Sequence, residues 1–196
     1  MKAIILLATL KKEGQSNTEV LSEFFADHLK KEQADAHVEI IKLVNHNILP
    51  GTYLNMGEGD EWPAIFEKLK QADIIIFATP VWWGTHSSQM QQVFERLDEV
   101  HDEIKEGKES QLAGKVGGII VSGDMDGSQH IIGNIANFYN VMGITFPPQT
   151  TLTVLWEGHT KGEERLRGEL IQYYTKEYGE DAETMAKNLI KYSETE

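Results

Sequence analysis

ADIIIFATPVWWGTHSS, residues 72–88, is the stretch on which the fold turns. Its first half, ADIIIFAT over 72–79, is a near-continuous apolar run of the kind found in parallel strands covered on both faces. The run then gives way at once to Pro80, Val81, Trp82, Trp83 and Gly84. Tryptophan is expensive to expose, and a plain connection would use small polar residues. Trp82 and Trp83 therefore either wall a flat heterocycle, with Gly84 allowing close backbone approach, or cover the sheet end or a subunit contact.

Outward from this strand, apolar runs and amphipathic stretches alternate. Residues 2–8 read as the first strand, and 17–33 as a helix with Val20, Leu21, Phe24, Phe25, His28 and Leu29 on one side. HVEIIKL, 37–43, is the second strand; a Gly- and Asn-rich loop over 44–62 then leads to a helix starting at Trp62, where Pro63 suits the first turn. Beyond the aromatic loop, residues 87–104 form one helix aligned by Val93, Phe94, Leu97, Val100 and Ile104. KVGGIIVSG supplies the fourth strand, 128–142 a helix, and GITFPP with TLTVLW a fifth strand interrupted by Pro147 and Pro148. The tail is helical from about residue 163. This alternation predicts a single α/β domain over 1–196: a three-layer, doubly wound, five-stranded parallel sheet of order 2-1-3-4-5. Ligands in such sheets sit beyond the carboxyl ends of the strands where the order reverses, so loops 9–16, 80–86 and 123–127 should converge on one crevice.

Composition narrows the function classes. Acids outnumber bases 31 to 18, for a formal charge of −13, which argues against a general nucleic-acid binder but leaves room for a local basic spot holding one anion. No window approaches the ~18 consecutive apolar residues of a membrane helix, and AIILLATL runs into Lys11 and Lys12 and reads as a strand rather than a signal peptide. The chain has no cysteine, which removes disulfides, thiolate metal sites and cysteine nucleophiles and suits a reducing compartment; cytoplasm is the expected location.

The first loop, within TLKKEGQSNTEV over 9–20, spends about seven polar positions where ~2–6 residues usually suffice. A helix N-terminus presents unsatisfied N–H groups and the positive end of the macrodipole, so a polar loop wrapped over it makes a phosphate site. Gly14 would let the backbone come close, Ser16, Asn17 and Thr18 would donate, and Lys11 would supply charge. Ser16-x-x-Glu19 is equally a capping box, which would account for Ser16 without a ligand. In the third loop, SGDMDGSQH brings Ser122, Gly123 and Gly127 to the same rim, with Asp124 and Asp126 as acids or simple turn formers. His86 and His130 lie near the crevice, as proton donors to an acceptor or as surface or capping histidines. No pair of histidines has a metal-ligand spacing backed by a carboxylate, and no Ser sits on a G-x-S-x-G elbow.

On these residues the chain resembles the NAD(P)H-dependent FMN reductase and quinone reductase branch of the flavodoxin-like superfamily, over roughly residues 2–150. ATPVWWGTHSSQMQQVFERLD is similar to that family's T-P-x-Y-W-G-x-x-S-x-x-L-K-x-F-x-D-R-L segment. The first loop is similar to G-S-P-R-x-x-G-N-T, with Thr9 at its Ser, Lys11 at its Arg, and Asn17 and Thr18 at its closing N-T. Ala8 and Leu10 depart from its Gly and Pro, and the loop is longer by a residue or so. The third loop is similar to a Gly-rich S-G-x-x-G stretch.

The resemblance implies FMN, with its phosphate on Thr9, Lys11, Gln15, Ser16, Asn17 and Thr18. The ring would lie between Pro80, Val81, Trp82, Trp83 and Gly84 on one side and Ser122, Gly123, Asp124 and Gly127 on the other. Backbone N–H groups of residues 81 to 84 would meet the pyrimidine edge. NADH or NADPH would be the electron donor and a quinone, free flavin or similar small molecule the acceptor, with no obligate catalytic side chain. Residues 44–62 and the tail, with Trp156, Tyr173, Tyr174 and Tyr178, exceed the minimal plan. They would shape an acceptor pocket or a homodimer face, or the tail would pack on its own sheet. Two other classes stay open. "SNTE" also resembles the T-G-N-T-E loop of flavodoxin-type electron carriers, whose acidic surfaces suit docking to basic redox partners. The third reading is a binding or regulatory module that has lost its cofactor.

Overall fold

Five strands, Lys2–Leu7 (β1), His37–Lys42 (β2), Ile74–Pro80 (β3), Val116–Gly123 (β4) and Thr151–Leu155 (β5), pair in parallel in the order β2-β1-β3-β4-β5. The structure is a computed structural model and describes residues 1–123, 126–155 and 165–194. The helices are Asn17–Glu32 (α1), Trp62–Lys70 (α2), Ser88–Arg96 (α3), Asp98–Lys105 (α4), Ser128–Val141 (α5) and Arg167–Ser193 (α6). The strand order and the layered α/β architecture are those the sequence predicts.

Strand residues alternate between two cores because successive side chains of a strand point to opposite faces. Ile4, Leu6, Ile75, Phe77, Ile119 and Val121 pack with α2, α3 and α5, whereas Ile5, Leu7, Ile74, Ile76 and Ile120 pack with α1 and α6. Burying each such side chain stabilises the fold by about 1.5–3 kcal/mol. The Gly117–Gly118 pair in β4 serves both layers. A Cβ on Gly117 would lie 2.6 Å from the Tyr139 ring of α5, and one on Gly118 would lie 2.9 Å from Met185 Cε of α6. The room left at Gly117 admits Tyr139, whose buried hydroxyl donates to the Gly118 carbonyl at 2.9 Å and accepts from the Phe77 N–H at 3.2 Å. Burial pushes that phenol well above its ordinary pKa.

Three local expectations are corrected, and the choice left open for the tail is decided. Strands one and two stop a residue early, at Leu7 and Lys42, although the Ala8 N–H still reaches the Ala78 carbonyl at 2.8 Å. The helix expected over 87–104 is two, broken at Leu97 (ψ 1°), a break that leaves both Leu97 and Val100 fully buried. GITFPP is not a strand: Thr145 forms one isolated bridge to Val116, and the prolines that follow have no N–H to continue the ladder. The chain then turns through Gln149 at φ 57°, and the ladder resumes from Thr150, whose carbonyl accepts from Ile119. The tail packs on its own sheet and on α1, with Leu170, Tyr174, Ala182, Met185 and Leu189 buried, while Trp156 lies outside the described residues.

The excursion over 46–61 folds back over α3, held from inside by Arg96. The Arg96 side chain is fully buried; it donates to the carbonyls of Leu49 (2.8 Å) and Tyr53 (2.7 Å) and forks onto Asp60 at 3.0 and 2.6 Å. Burial alone would raise the Asp60 carboxyl, but the Arg96 guanidinium and the N–H groups of Met56, Trp62 and Leu49 hold it far below the carboxylate range.

Candidate functional site

The carboxyl ends of β1, β3 and β4 bring the three expected loops to one rim, and short hydrogen bonds tie them together beneath it. Ser87, the N-cap of α3, donates its hydroxyl to the Ala8 carbonyl at 2.6 Å and its N–H to Thr79 Oγ1 at 3.1 Å, joining the first loop to the second. Thr18 and Ser122 share a hydroxyl–hydroxyl bond at 2.7 Å, joining the head of α1 to the end of β4. Val81 donates its N–H to the Ser122 carbonyl at 2.8 Å, joining the second loop to the third. Thr9, Ser16, Thr18, Thr79, Ser87, Ser122 and Ser128 are all buried here. The hydroxyls of Thr9, Ser16, Thr18, Thr79, Ser87 and Ser122 thus form a hydrogen-bonded belt beneath the rim, where unpaired polar groups would each cost about 1–3 kcal/mol.

In the first loop the side chains divide into holders and presenters. Ser16 caps α1, accepting from the Glu19 N–H at 3.4 Å, and donates to Thr9 Oγ1 at 2.8 Å. Thr9 in turn accepts from the Lys11 N–H at 3.2 Å. Only half of the expected capping box forms, because the Glu19 carboxylate pairs with Lys42 at 2.8 Å. Gly14 stands at φ 75°, and Lys11 reaches back to the Gln15 carbonyl at 2.9 Å, closing the loop on itself. Gln15 donates its amide to the Arg165 carbonyl at 2.6 Å, across 150 positions of sequence. Lys11 and Asn17 are exposed above this framework, at the head of a helix whose first N–H groups have no intrahelical acceptor.

The second and third loops meet glycine to glycine. Gly127 (φ 94°) precedes α5, and a Cβ there would lie 2.2 Å from the Gly84 carbonyl oxygen; a Cβ on Gly123 would lie 3.2 Å from Val81. Trp82 and Thr85 exchange backbone bonds at 2.7 and 3.0 Å, which narrows the loop tip to Trp83 (φ 49°) and Gly84 (φ 73°). The expectation for the pyrimidine-edge donors is corrected here: the N–H groups of Val81 and Trp82 are spent on Ser122 and Thr85, leaving those of Trp83 and Gly84 as the donors of this loop. Trp83, 98% exposed, does not cover the sheet end, while Trp82 is 43% exposed. Asp124 lies outside the described residues and Asp126 is exposed. The His86 ring packs edge-on against Phe94 at 5.0 Å, and exposed His130 pairs with Asn134 at 3.0 Å.

Thr79 and Ser87, absent from the sequence-derived set, are central to the belt. Both stand in the segment on which the resemblance rests, Thr79 at the Thr and Ser87 at the Ser of T-P-x-Y-W-G-x-x-S, and that is the signal that could have found them. Arg96 could have been found by spacing, since it lies three residues after Val93 and four before Val100 on a buried helix face. Among the described residues no group of three or more His, Asp or Glu could hold a metal ion, and no helix is long and apolar enough to cross a membrane.

Comparison with known proteins agrees with this architecture. The chain is 30% identical over 154 residues to a protein named divalent metal cation transporter MntH from Mycobacterium bovis, a match covering 76% of this chain and 22% of that protein. It is 29% identical over 158 residues to 8-demethyl-8-aminoriboflavin-5'-phosphate synthase from Streptomyces davaonensis, covering 76% of this chain and 61% of that one. The matches thus span less than two thirds of either curated relative. The solved structure of RosB with the bound intermediate 8-demethyl-8-formylriboflavin-5'-phosphate shares the fold at a TM-score of 0.79 and 24% identity, covering 99% of this chain and 79% of that one. The model of the family described as NADPH-dependent FMN reductase matches residues 1–155, and the chain belongs to that family.

Proposed function

We propose that the rim binds FMN and that the protein is a flavin-dependent oxidoreductase taking hydride from NAD(P)H. FMN and a reduced nicotinamide are the cofactors of this family. The observation that carries the reading is the Gly127–Gly84 approach beside the Thr18–Ser122 bond. Together they set the second and third loops in direct backbone contact, an approach that a Cβ on Gly127 would prevent, next to a helix head with donors to spare.

The residues present fit the group. Lys11, Asn17 and the first N–H groups of α1 would hold the phosphate, with Thr9, Gln15, Ser16 and Thr18 fixing the loop that presents them. Pro80, Val81, Trp82, Trp83 and Gly84 would line one side of the ring, and Ser122, Gly123 and Gly127 the other. When bound, FMN supplies the redox chemistry, accepting a hydride from the nicotinamide and passing two electrons to a small acceptor. The Trp83 and Gly84 N–H groups would stabilise negative charge at the ring's pyrimidine edge, and being held by backbone bonds they need little reorganisation to do so. The exposed Trp83 ring would screen that edge from water. Quinones and free flavins are the acceptor classes proposed.

Anaerobic addition of NADPH to FMN-loaded protein tests this reading: bleaching of the flavin band, reversed by a quinone, supports it, and bleaching only by a partner reductase would make the protein an electron carrier instead. A second reading is favoured by the likeness to 8-demethyl-8-aminoriboflavin-5'-phosphate synthase. In it, flavin phosphate is a substrate that leaves after reaction. A chemically altered flavin in the supernatant would distinguish it.

A further inference from the structure

The family model ends at residue 155, yet α6 and the residue leading into it reach the first loop and the start of α1 at three places. The Arg165 carbonyl accepts the Gln15 amide at 2.6 Å, the fully buried Tyr174 directs its hydroxyl at the Asn17 carbonyl at 3.5 Å, and Arg167 pairs with Glu23 on α1. Tyr174 is wedged between Phe24 of α1 (5.7 Å) and Tyr173 (6.0 Å), and the Arg165 guanidinium lies 5.4 Å over the Tyr173 ring. The two residues so held, Gln15 and Asn17, flank the Ser16 cap. The contacts therefore fix the turn that delivers the first N–H groups of α1 to the rim.

We infer that the head of α6 is a brace for the phosphate loop, with Tyr174, through Asn17, and Arg167, through Glu23 of α1, acting as positioning residues that govern retention of a phosphorylated flavin. This rests on the reading of the rim as an FMN site. An unbraced loop would sample open conformations, and each bound phosphate would have to pay the ordering entropy that α6 otherwise settles in advance. The cost falls on the phosphate end alone, because the ring-side loops are tied by Ser122, Ser87 and Gly127, none of which α6 contacts through these bonds.

The test compares FMN with riboflavin, which lacks the phosphate, in the full-length protein. Wild type is expected to hold FMN far more tightly than riboflavin. Tyr174→Phe and the exposed Arg167→Glu, which leaves the core intact, should each speed FMN release roughly three- to tenfold while leaving riboflavin affinity unchanged, and Arg167→Glu should also leave the flavin-free melting temperature unchanged. Adding Glu23→Arg to Arg167→Glu should restore retention. If wild type binds both flavins equally, the phosphate-loop reading fails and the brace with it. If wild type discriminates but Tyr174→Phe and Arg167→Glu both release FMN at the wild-type rate, the site stands and the brace is overturned.

Discussion

Trp83 holds a left-handed backbone at φ 49° while 98% of its surface faces water, so it accepts strain without burial in return. That conformation costs a non-glycine residue roughly 1–2 kcal/mol, and such outliers cluster where a ligand is held. Trp83→Gly should relieve the strain and lose a similar amount to chain entropy, leaving unfolding free energy within about 1 kcal/mol of wild type. Flavin affinity should nevertheless fall about tenfold through loss of the aromatic face, and fluorescence titration beside denaturant unfolding reads both. Unchanged affinity would make the ring a bystander. Gly127→Ala behaves oppositely: with φ 94° and the Gly84 backbone 2.2 Å from the new Cβ, both loops must shift. We expect at least about 2 kcal/mol lost in stability and flavin binding abolished, measured in the same two assays.

At the scale of elements, β4 and α3 set the layers that carry the rim. Alanine at Gly117 drives into the Tyr139 ring, whose hydroxyl is held by the Gly118 carbonyl and the Phe77 N–H, whereas alanine at Gly118 meets the flexible end of Met185. Gly117→Ala should therefore cost at least about 2 kcal/mol by denaturant midpoint, and Gly118→Ala clearly less. Arg96→Met would leave Asp60 buried without its counter-charge, at about 3–5 kcal/mol, and should expose the 46–61 excursion to protease. The pair also predicts a pH dependence. The folded-state pKa of Asp60 lies below its ordinary 3.8, so its contribution to stability is complete above about that pH and disappears as pH falls through the depressed value. Acid unfolding profiles of wild type and Asp60→Asn should therefore converge at the lowest pH. A constant difference throughout would refute the coupling.

Over the whole molecule, what the sequence made legible follows from periodicity and topology. The apolar runs at 2–8, 72–79 and 115–123 could only be buried parallel strands, and that order alone brought three loops to one rim. The break at Leu97 was hidden because Val93, Leu97 and Val100 continue one stripe through it. The ties between loops were hidden for another reason: Ser16 and Ser87 already had local roles as caps, and nothing local signals that Ser87 also bonds Ala8. The contact of Gln15 with Arg165 joins opposite ends of the chain, beyond the reach of any local pattern. The rim's proposed occupant is tested most directly by loading purified protein with excess FMN and passing it through a desalting column. One FMN per chain should emerge with wild-type protein, and almost none with Gly127→Ala that remains folded by circular dichroism. Colourless wild-type protein, or equal retention by the two, would contradict a flavin held at the rim that the Gly127–Gly84 contact shapes.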